Sequence, residues 1–249
     1  MGKTVIITGA GSGFGKGAAL ALTERGHQVI ATTETEAQAE ALRAEAPQLF
    51  LVEKFDITLP EPSKATEWDV DVLINNAGAG QTGPLADVDL EVVRRLFEVN
   101  VFGTLAVTQA VLPRMVARGS GRIVIMSSIS GVLSAPAFGP YSMTKHALEA
   151  MGKAMRGELA GQGIDVCLLN PGPYLTGFND RMADSMWEWF GDDAVNAAST
   201  PLFEMMRDFV KNDQRDPIEV VDKMVELTEA ETTEEHNFVP PELAAFIGG

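Results

Sequence analysis

The chain has 249 residues, of which 45% are apolar and 22% charged, ordinary globular proportions with enough apolar material for one large buried sheet and no disorder bias. Its formal net charge of -16 sets up a field that repels phosphate backbones and anionic lipid surfaces, which excludes nucleic acid as the expected partner and argues against membrane insertion. A small-molecule partner is expected instead.

Cys167 is the single cysteine and sits in an apolar run, so it reads as a core residue with no internal disulfide partner. No uninterrupted apolar run reaches the roughly 18 residues needed to span a bilayer. The stretch Val5-Ile6-Ile7 behind the N-terminus is too short for a signal peptide. Cytoplasmic placement is the expectation.

Short β-branched runs alternate with helical periodicity, the pattern of βαβ units. Strands are expected over 3–8, 28–33, 49–53, 70–74, 121–127, 164–169 and 236–239, and helices over 14–25, 35–45, 88–117, 140–161 and 217–229. That order predicts an α/β fold, a single doubly wound domain over 1–249 with a parallel sheet covered by helices on both faces. Between the third and fourth strands, Pro60 and Pro62 predict a helix that is abbreviated or missing.

After the first strand comes Thr8-Gly9-Ala10-Gly11-Ser12-Gly13-Phe14-Gly15 and then a helix. A glycine turn leading into a helix N-terminus offers backbone N–H groups and positive dipole to a pyrophosphate, with no side chain to block the approach. Gly17 occupies the position after Lys16 where a triphosphate-binding loop needs a hydroxyl, and no G-x-S-x-G elbow occurs. A dinucleotide is the ligand this loop predicts.

The second strand ends Thr32-Thr33-Glu34, and between Lys16 and Arg43 the only cation is Arg25, which precedes that strand. A carboxylate there suits ribose hydroxyls and repels a 2'-phosphate, so NAD is favoured over NADP. Glu34 also fits an ordinary acid at a helix start.

Further on, Asn75-Asn76-Ala77-Gly78 follows the fourth strand, Asn100 interrupts an apolar helical stretch, and Ser127-Ser128 closes the fifth strand. Tyr141-Ser142-Met143-Thr144-Lys145 then places a phenol and an ammonium on one helix face. A nearby cation is expected to lower the phenol pKa toward the working range and make Tyr141 a proton-transfer group, while Ser128 donates to a carbonyl oxygen. Asn100 fits either a buried structural amide or the holder of a relay water.

Taken together, TGAGSGFG at 8–15, NNAG at 75–78, Asn100, Ser128, YSMTK at 141–145 and NPGPYLT at 170–176 resemble the short-chain dehydrogenase/reductase family, with a Ser-to-Tyr separation of thirteen residues. The resemblance implies a Rossmann-like domain of about seven parallel strands that interconverts an alcohol and a ketone by hydride transfer. It assigns Tyr141 as general acid/base, Lys145 as ribose anchor, Ser128 as substrate donor and Asn100 as holder of the relay water. The same resemblance gives Asp56 the adenine amino group with Ile57 beside the ring, lines the adenosine with Asn76, Ala77 and Gly78, and borders the nicotinamide with Pro171, Gly172 and Thr176. It further implies a homodimer or homotetramer built through helices near 103–117 and 140–161. Members preferring NAD usually carry an acid where Thr33 stands, and members preferring NADP often carry Arg where Glu34 stands.

A weaker match, Ser128-Ile129-Ser130-Gly131 with Lys145-His146-Ala147-Leu148-Glu149, is similar to members acting on retinoids, steroids and other hydrophobic secondary alcohols. The Met- and aromatic-rich segment 177–215 fits a lid over such a substrate, or equally a patch packed on the domain or at a subunit contact. A non-catalytic cofactor sensor and an epimerase or dehydratase retaining NAD are the competing readings. The former tends to lose the Tyr or the Lys, and the latter has a larger substrate domain.

Overall fold

The structure is a computed structural model that describes residues 2–58 and 61–247. Its seven strands are β1 Thr4–Ile7, β2 Gln28–Thr33, β3 Leu51–Lys54, β4 Val72–Asn75, β5 Gly121–Met126, β6 Ile164–Pro171 and β7 His236–Val239. All pair in parallel in the order β3-β2-β1-β4-β5-β6-β7. The strand order reverses direction between β1 and β4, the place where an open α/β sheet opens a crevice beyond its C-terminal strand ends.

The helices are α1 Gly13–Glu24, α2 Glu36–Glu45, α3 Leu90–Phe97, α4 Thr104–Arg118, α5 Gly139–Leu159, α6 Phe178–Asp184, α7 Thr200–Asn212 and α8 Ile218–Glu229. Strand side chains alternate between faces, and the two cores follow that alternation. Val5 and Ile7 pack with α1, α2 and α8 through Leu22, Leu42 and Met224. Ile6 packs on the other face with α4 and α5 through Val111, Met115 and Leu148. Each predicted strand and helix is present, with ends moved by a few residues.

Between β3 and β4 the described residues form a short 3-10 helix, Glu61–Glu67, in line with the expected abbreviation, and Pro60 lies outside the described residues. The continuous helical stretch Leu90–Arg118 is long and apolar enough to cross a bilayer by length and composition, although Glu91, Arg94, Arg95, Glu98 and Arg114 interrupt it. Here it lies along the sheet, with Val107, Val111 and Met115 buried.

The stretch is not uniformly α-helical. Glu98–Gly103 winds as a π-helix between α3 and α4 and buries Asn100, a local widening that occurs often beside functional sites.

Candidate active site

One cleft of about 1160 Å³ opens at the C-terminal ends of β1, β4, β5 and β6. The loop after β1 forms its floor. Gly9 has φ +66°, and a Cβ there would lie 2.8 Å from Ala77 Cα, so only glycine allows this loop to meet the loop after β4. The two loops are laced together by Asn76 Nδ2, which donates to Thr8 O at 2.9 Å and Gly9 O at 3.1 Å. Ser12 is the N-cap of α1 but makes no side-chain cap bond, and the first turn holds no acid. The positive end of α1 is therefore left to a ligand anion.

Gly9, Gly11, Ser12, Gly13, Phe14, Glu34, Asp56, Ile57, Asn76, Ala77, Gly78, Ser128, Tyr141, Lys145, Pro171, Gly172 and Thr176 all line this cleft, together with Gln38, Phe55, Val99 and Arg95. Three expected residues do not. Gly15 is wedged beneath the loop, where a Cβ would sit 2.5 Å from Asn76 Nδ2. Thr33 is 1% exposed and its hydroxyl donates to Thr35 O; it braces the turn while Glu34 lines the cleft. Asn100 is 1% exposed, accepts from Ala79 N–H at 2.8 Å, and donates to Ala79 O at 2.9 Å and Thr144 Oγ1 at 3.0 Å. Its side chain is fully occupied in joining the π-helical segment, the β4 loop and α5. Asp56 accepts from Thr58 N–H and hydroxyl through Oδ1, which leaves Oδ2 for a ligand.

At the centre of the cleft, α5 presents Tyr141 and Lys145 one turn apart. Pro140 in the first turn of α5 carries no N–H and fits there. Lys145 Nζ donates to Met126 O at 2.7 Å and lies 5.5 Å from the centre of the Tyr141 ring. Burial pushes the Lys145 ammonium down to about 8, and the Glu149 carboxylate opposes that shift. The Tyr141 phenol moves opposite to expectation. Burial holds it well above its ordinary value, and its hydrogen bond with Ser128 opposes this only in part. Desolvation is the larger cause, so the buried Tyr141 is a protonated phenol, an acid already in contact with the Ser128 hydroxyl.

Ser128 itself starts a 3-10 turn, Ile129–Gly131, and caps it by accepting from Ser130 N–H at 3.1 Å. Beyond Ser128 and Tyr141 the cleft becomes apolar, lined by Leu133, Phe138, Phe178, Met182, Met206 and Phe209. The first two precede α5 and the rest belong to α6 and α7. The segment 177–215 thus divides. One part lines the cleft, while Trp187, Phe190 and Phe203 pack with Ala137 and Met186 in a separate cluster. Thr82 ties α6 down by donating to Met182 O at 2.9 Å, and Asp87 accepts from Val195 and Asn196 N–H groups at 2.6 and 3.2 Å.

Residues 3–187 match the sequence profile of the short chain dehydrogenase family, and the chain belongs to that family. It is an oxidoreductase whose fold binds a nicotinamide cofactor. The uncharacterized oxidoreductase YusZ of Bacillus subtilis (strain 168) is 36% identical over 239 residues, covering 90% of this chain and 84% of the relative. An NADPH-dependent 3-dehydrocapnine reductase of Ornithobacterium rhinotracheale is 35% identical over 187 residues, covering 70% and 66%. Among solved structures, a short-chain dehydrogenase from Streptomyces avermitilis superposes with a TM-score of 0.84 at 31% identity, covering 99% of this chain and 90% of that one.

Proposed function

We propose that the chain interconverts a hydrophobic or aromatic secondary alcohol and its ketone, with Tyr141 as general acid/base. The observation that carries this reading is the convergence of Ser128, Tyr141 and Lys145 in the same cleft as the glycine loop. Bound there, a nicotinamide dinucleotide supplies the hydride donor or acceptor. Ser128 Oγ–H donates to the carbonyl oxygen and holds it beside the phenol. Tyr141 Oη delivers its proton to that oxygen during reduction and takes it back during oxidation. Lys145 binds the nicotinamide ribose, and Thr176 holds the carboxamide. The backbone around Asn100, anchored by three hydrogen bonds, holds the relay water.

NAD is the cofactor we infer. Glu34 and Gln38 line the adenosine end, and the cations flanking them in sequence are already paired, Arg25 with Glu229, Lys16 with Glu45 and Arg43 with Glu36, each at 2.6 Å. The NADPH-dependent relative makes direct measurement essential. Six apolar side chains around the far end of the cleft support a hydrophobic substrate, and α6 with α7 form its lid. The outer surface along the long helices exposes Phe102 and Met143, which supports a homodimer or homotetramer through 103–117 and 140–161.

The test is absorbance at 340 nm with NADH and NADPH against a panel of bulky secondary ketones and alcohols. Turnover that tracks substrate hydrophobicity and vanishes in Tyr141→Phe supports the proposal. Turnover unchanged in Tyr141→Phe overturns it.

A further inference from the structure

Next to the Ser128–Tyr141 pair lies a buried carboxylate that the reaction above does not use. Glu149 stands one turn beyond Lys145 on α5 and is 4% exposed, a placement that is strongly unfavourable for a carboxylate unless its oxygens are paired. Its Oε1 accepts from Ser127 Oγ–H at 2.5 Å and from Asn170 Nδ2 at 2.6 Å. The same Asn170 amide donates to Ser128 O at 3.3 Å. Gly131 ends the turn that Ser128 begins, and a Cβ there would lie 2.6 Å from Ser127 Oγ and 3.0 Å from Glu149 Oε1. The backbone carrying Ser128 is thus packed directly onto this carboxylate.

The other oxygen, Oε2, lies 3.3 Å from His236 Nδ1 on β7, and neither atom makes a hydrogen bond among the described residues. His236 Nε2 in turn lies 3.3 Å from Glu235. Facing Lys145, β5 contributes the Met126 carbonyl, the loop after β4 contributes Gly78, and the π-helical segment contributes Asn100 behind it. None of these is charged. On α5 itself the neighbours are Tyr141 and Glu149, and the carboxylate is the charge that acts on Lys145.

We propose that Glu149 is a positioning residue with two effects: through Ser127 and Asn170 it fixes the turn that aims Ser128, and across one turn of α5 it supplies the negative charge that holds Lys145 as a cation. The inference rests on the roles given above to Ser128 and Lys145. A carboxylate that merely stapled three strands to a helix would carry the same hydrogen bonds, but replacing it by an amide would leave the titration of Lys145 alone.

Carbon-13 labelling at lysine Cε allows that titration to be followed by NMR in the ligand-free protein, with Lys145→Arg identifying the resonance. In Glu149→Gln, Lys145 is expected to titrate about one pH unit lower than in the wild type. An unmoved titration in folded Glu149→Gln overturns the proposal. Ser127→Ala removes one tether and keeps the charge, so its expected result is a several-fold lower kcat with the Lys145 titration unmoved. Wild-type kcat in Ser127→Ala also overturns the proposal, whether or not Glu149→Gln folds. Because the NMR readout needs neither cofactor nor substrate, a shifted resonance in a protein that turns over nothing supports the charge effect and counts against the catalytic reading instead.

Discussion

The ammonium of Lys145 lies 5.5 Å from the ring centre of Tyr141 and spends one hydrogen bond on the Met126 carbonyl. Both groups are almost completely buried, at 5% and 6% exposure, and burial drives them toward their neutral forms from opposite directions. The phenol keeps its proton, and the ammonium is brought to about 8. On the proposed reaction, this arrangement favours giving a proton to a carbonyl oxygen over removing one from an alcohol.

Replacing Tyr141 by Phe removes the proton donor and leaves the ring packed against Phe178, whose centroid is 5.9 Å away. Turnover is expected to fall roughly a hundred- to ten-thousand-fold. Binding of NADH, followed by its fluorescence, should change less than about threefold, since that is under ~0.7 kcal/mol. A parallel collapse of cofactor binding would show instead that the phenol is structural.

Lys145 gives a prediction about stability and pH. Its folded-state pKa of about 8 lies below the ordinary 10.5, so between those values the unfolded chain binds the extra proton and stability rises with pH from this group. Below pH 8 the cost of burying the cation is present in full. Lys145→Met should then be more stable than the wild type at pH 7, by up to about 3 kcal/mol, and this advantage should fade as pH rises from 8 toward 10.5. Thermal unfolding at pH 7, 9 and 10 checks the sign. Activity should move against stability, with Lys145→Met losing cofactor affinity.

The order of elements was legible because strand and helix periodicities are local properties, and the glycine loop because its function depends on adjacent residues. Other features depend on contacts distant in sequence. The upward push on the Tyr141 phenol is a burial effect in a cluster with Phe138, Met182 and Phe178, and no spacing within 141–145 reports it. Glu149 follows Lys145 by four residues, a pairing that on a sequence reads as a solvated helix face. What buries it are Ser127, Asn170 and His236, brought in by three separate strands. The Glu34 carboxylate at the end of the second strand was legible and does line the cleft, whereas the turn of the Thr33 hydroxyl onto Thr35 O was not. In 177–215, composition announced apolar packing without showing that Phe178 and Met206 line the cleft while Phe203 does not.

Gly9 tests whether the floor of the cleft needs an absent side chain. At φ +66° with a Cβ only 2.8 Å from Ala77 Cα, Gly9→Ala adds both backbone strain and a clash with backbone. A loss of about 1–3 kcal/mol is expected, together with weakened cofactor binding because the loop must move off Ala77. Chemical denaturation and NADH titration measure the two effects, and an unperturbed variant would mean that the loop relaxes freely.

Asp184 joins α6 to α7 by ion pairs with Arg207 and Lys211, the latter at 2.8 Å. Those two cations hold its carboxyl below the ordinary range, the Lys211 hydrogen bond contributing most. The side chain is 41% exposed, so each pair contributes at most ~1 kcal/mol. Asp184→Asn should barely move the melting temperature. If α6 and α7 form a lid, the same variant should open the segment more often, with faster proteolysis between 185 and 199 and a raised KM for bulky substrates. Slower substrate release or unaltered cleavage would instead mark the segment as fixed packing.

The NAD preference proposed above turns on the charge of Glu34. It lines the cleft beside Gln38, and Gln38 Oε1 is already committed to accepting from the Glu34 and Thr35 N–H groups at 3.1 and 3.2 Å. A carboxylate in that position attracts ribose hydroxyls as hydrogen-bond donors and repels a 2'-phosphate dianion. Glu34→Arg reverses the sign without touching the capping box of α2, which is built from Thr35 and Gln38. The wild type is expected to bind NADH more tightly than NADPH, and Glu34→Arg to shift the ratio of their affinities by at least about tenfold toward NADPH, equivalent to ~1.4 kcal/mol. Calorimetric titration of both dinucleotides into both proteins measures this directly. A wild type that prefers NADPH would mean that cations elsewhere in the cleft, among them Arg95 on α3, outweigh the carboxylate at the end of β2.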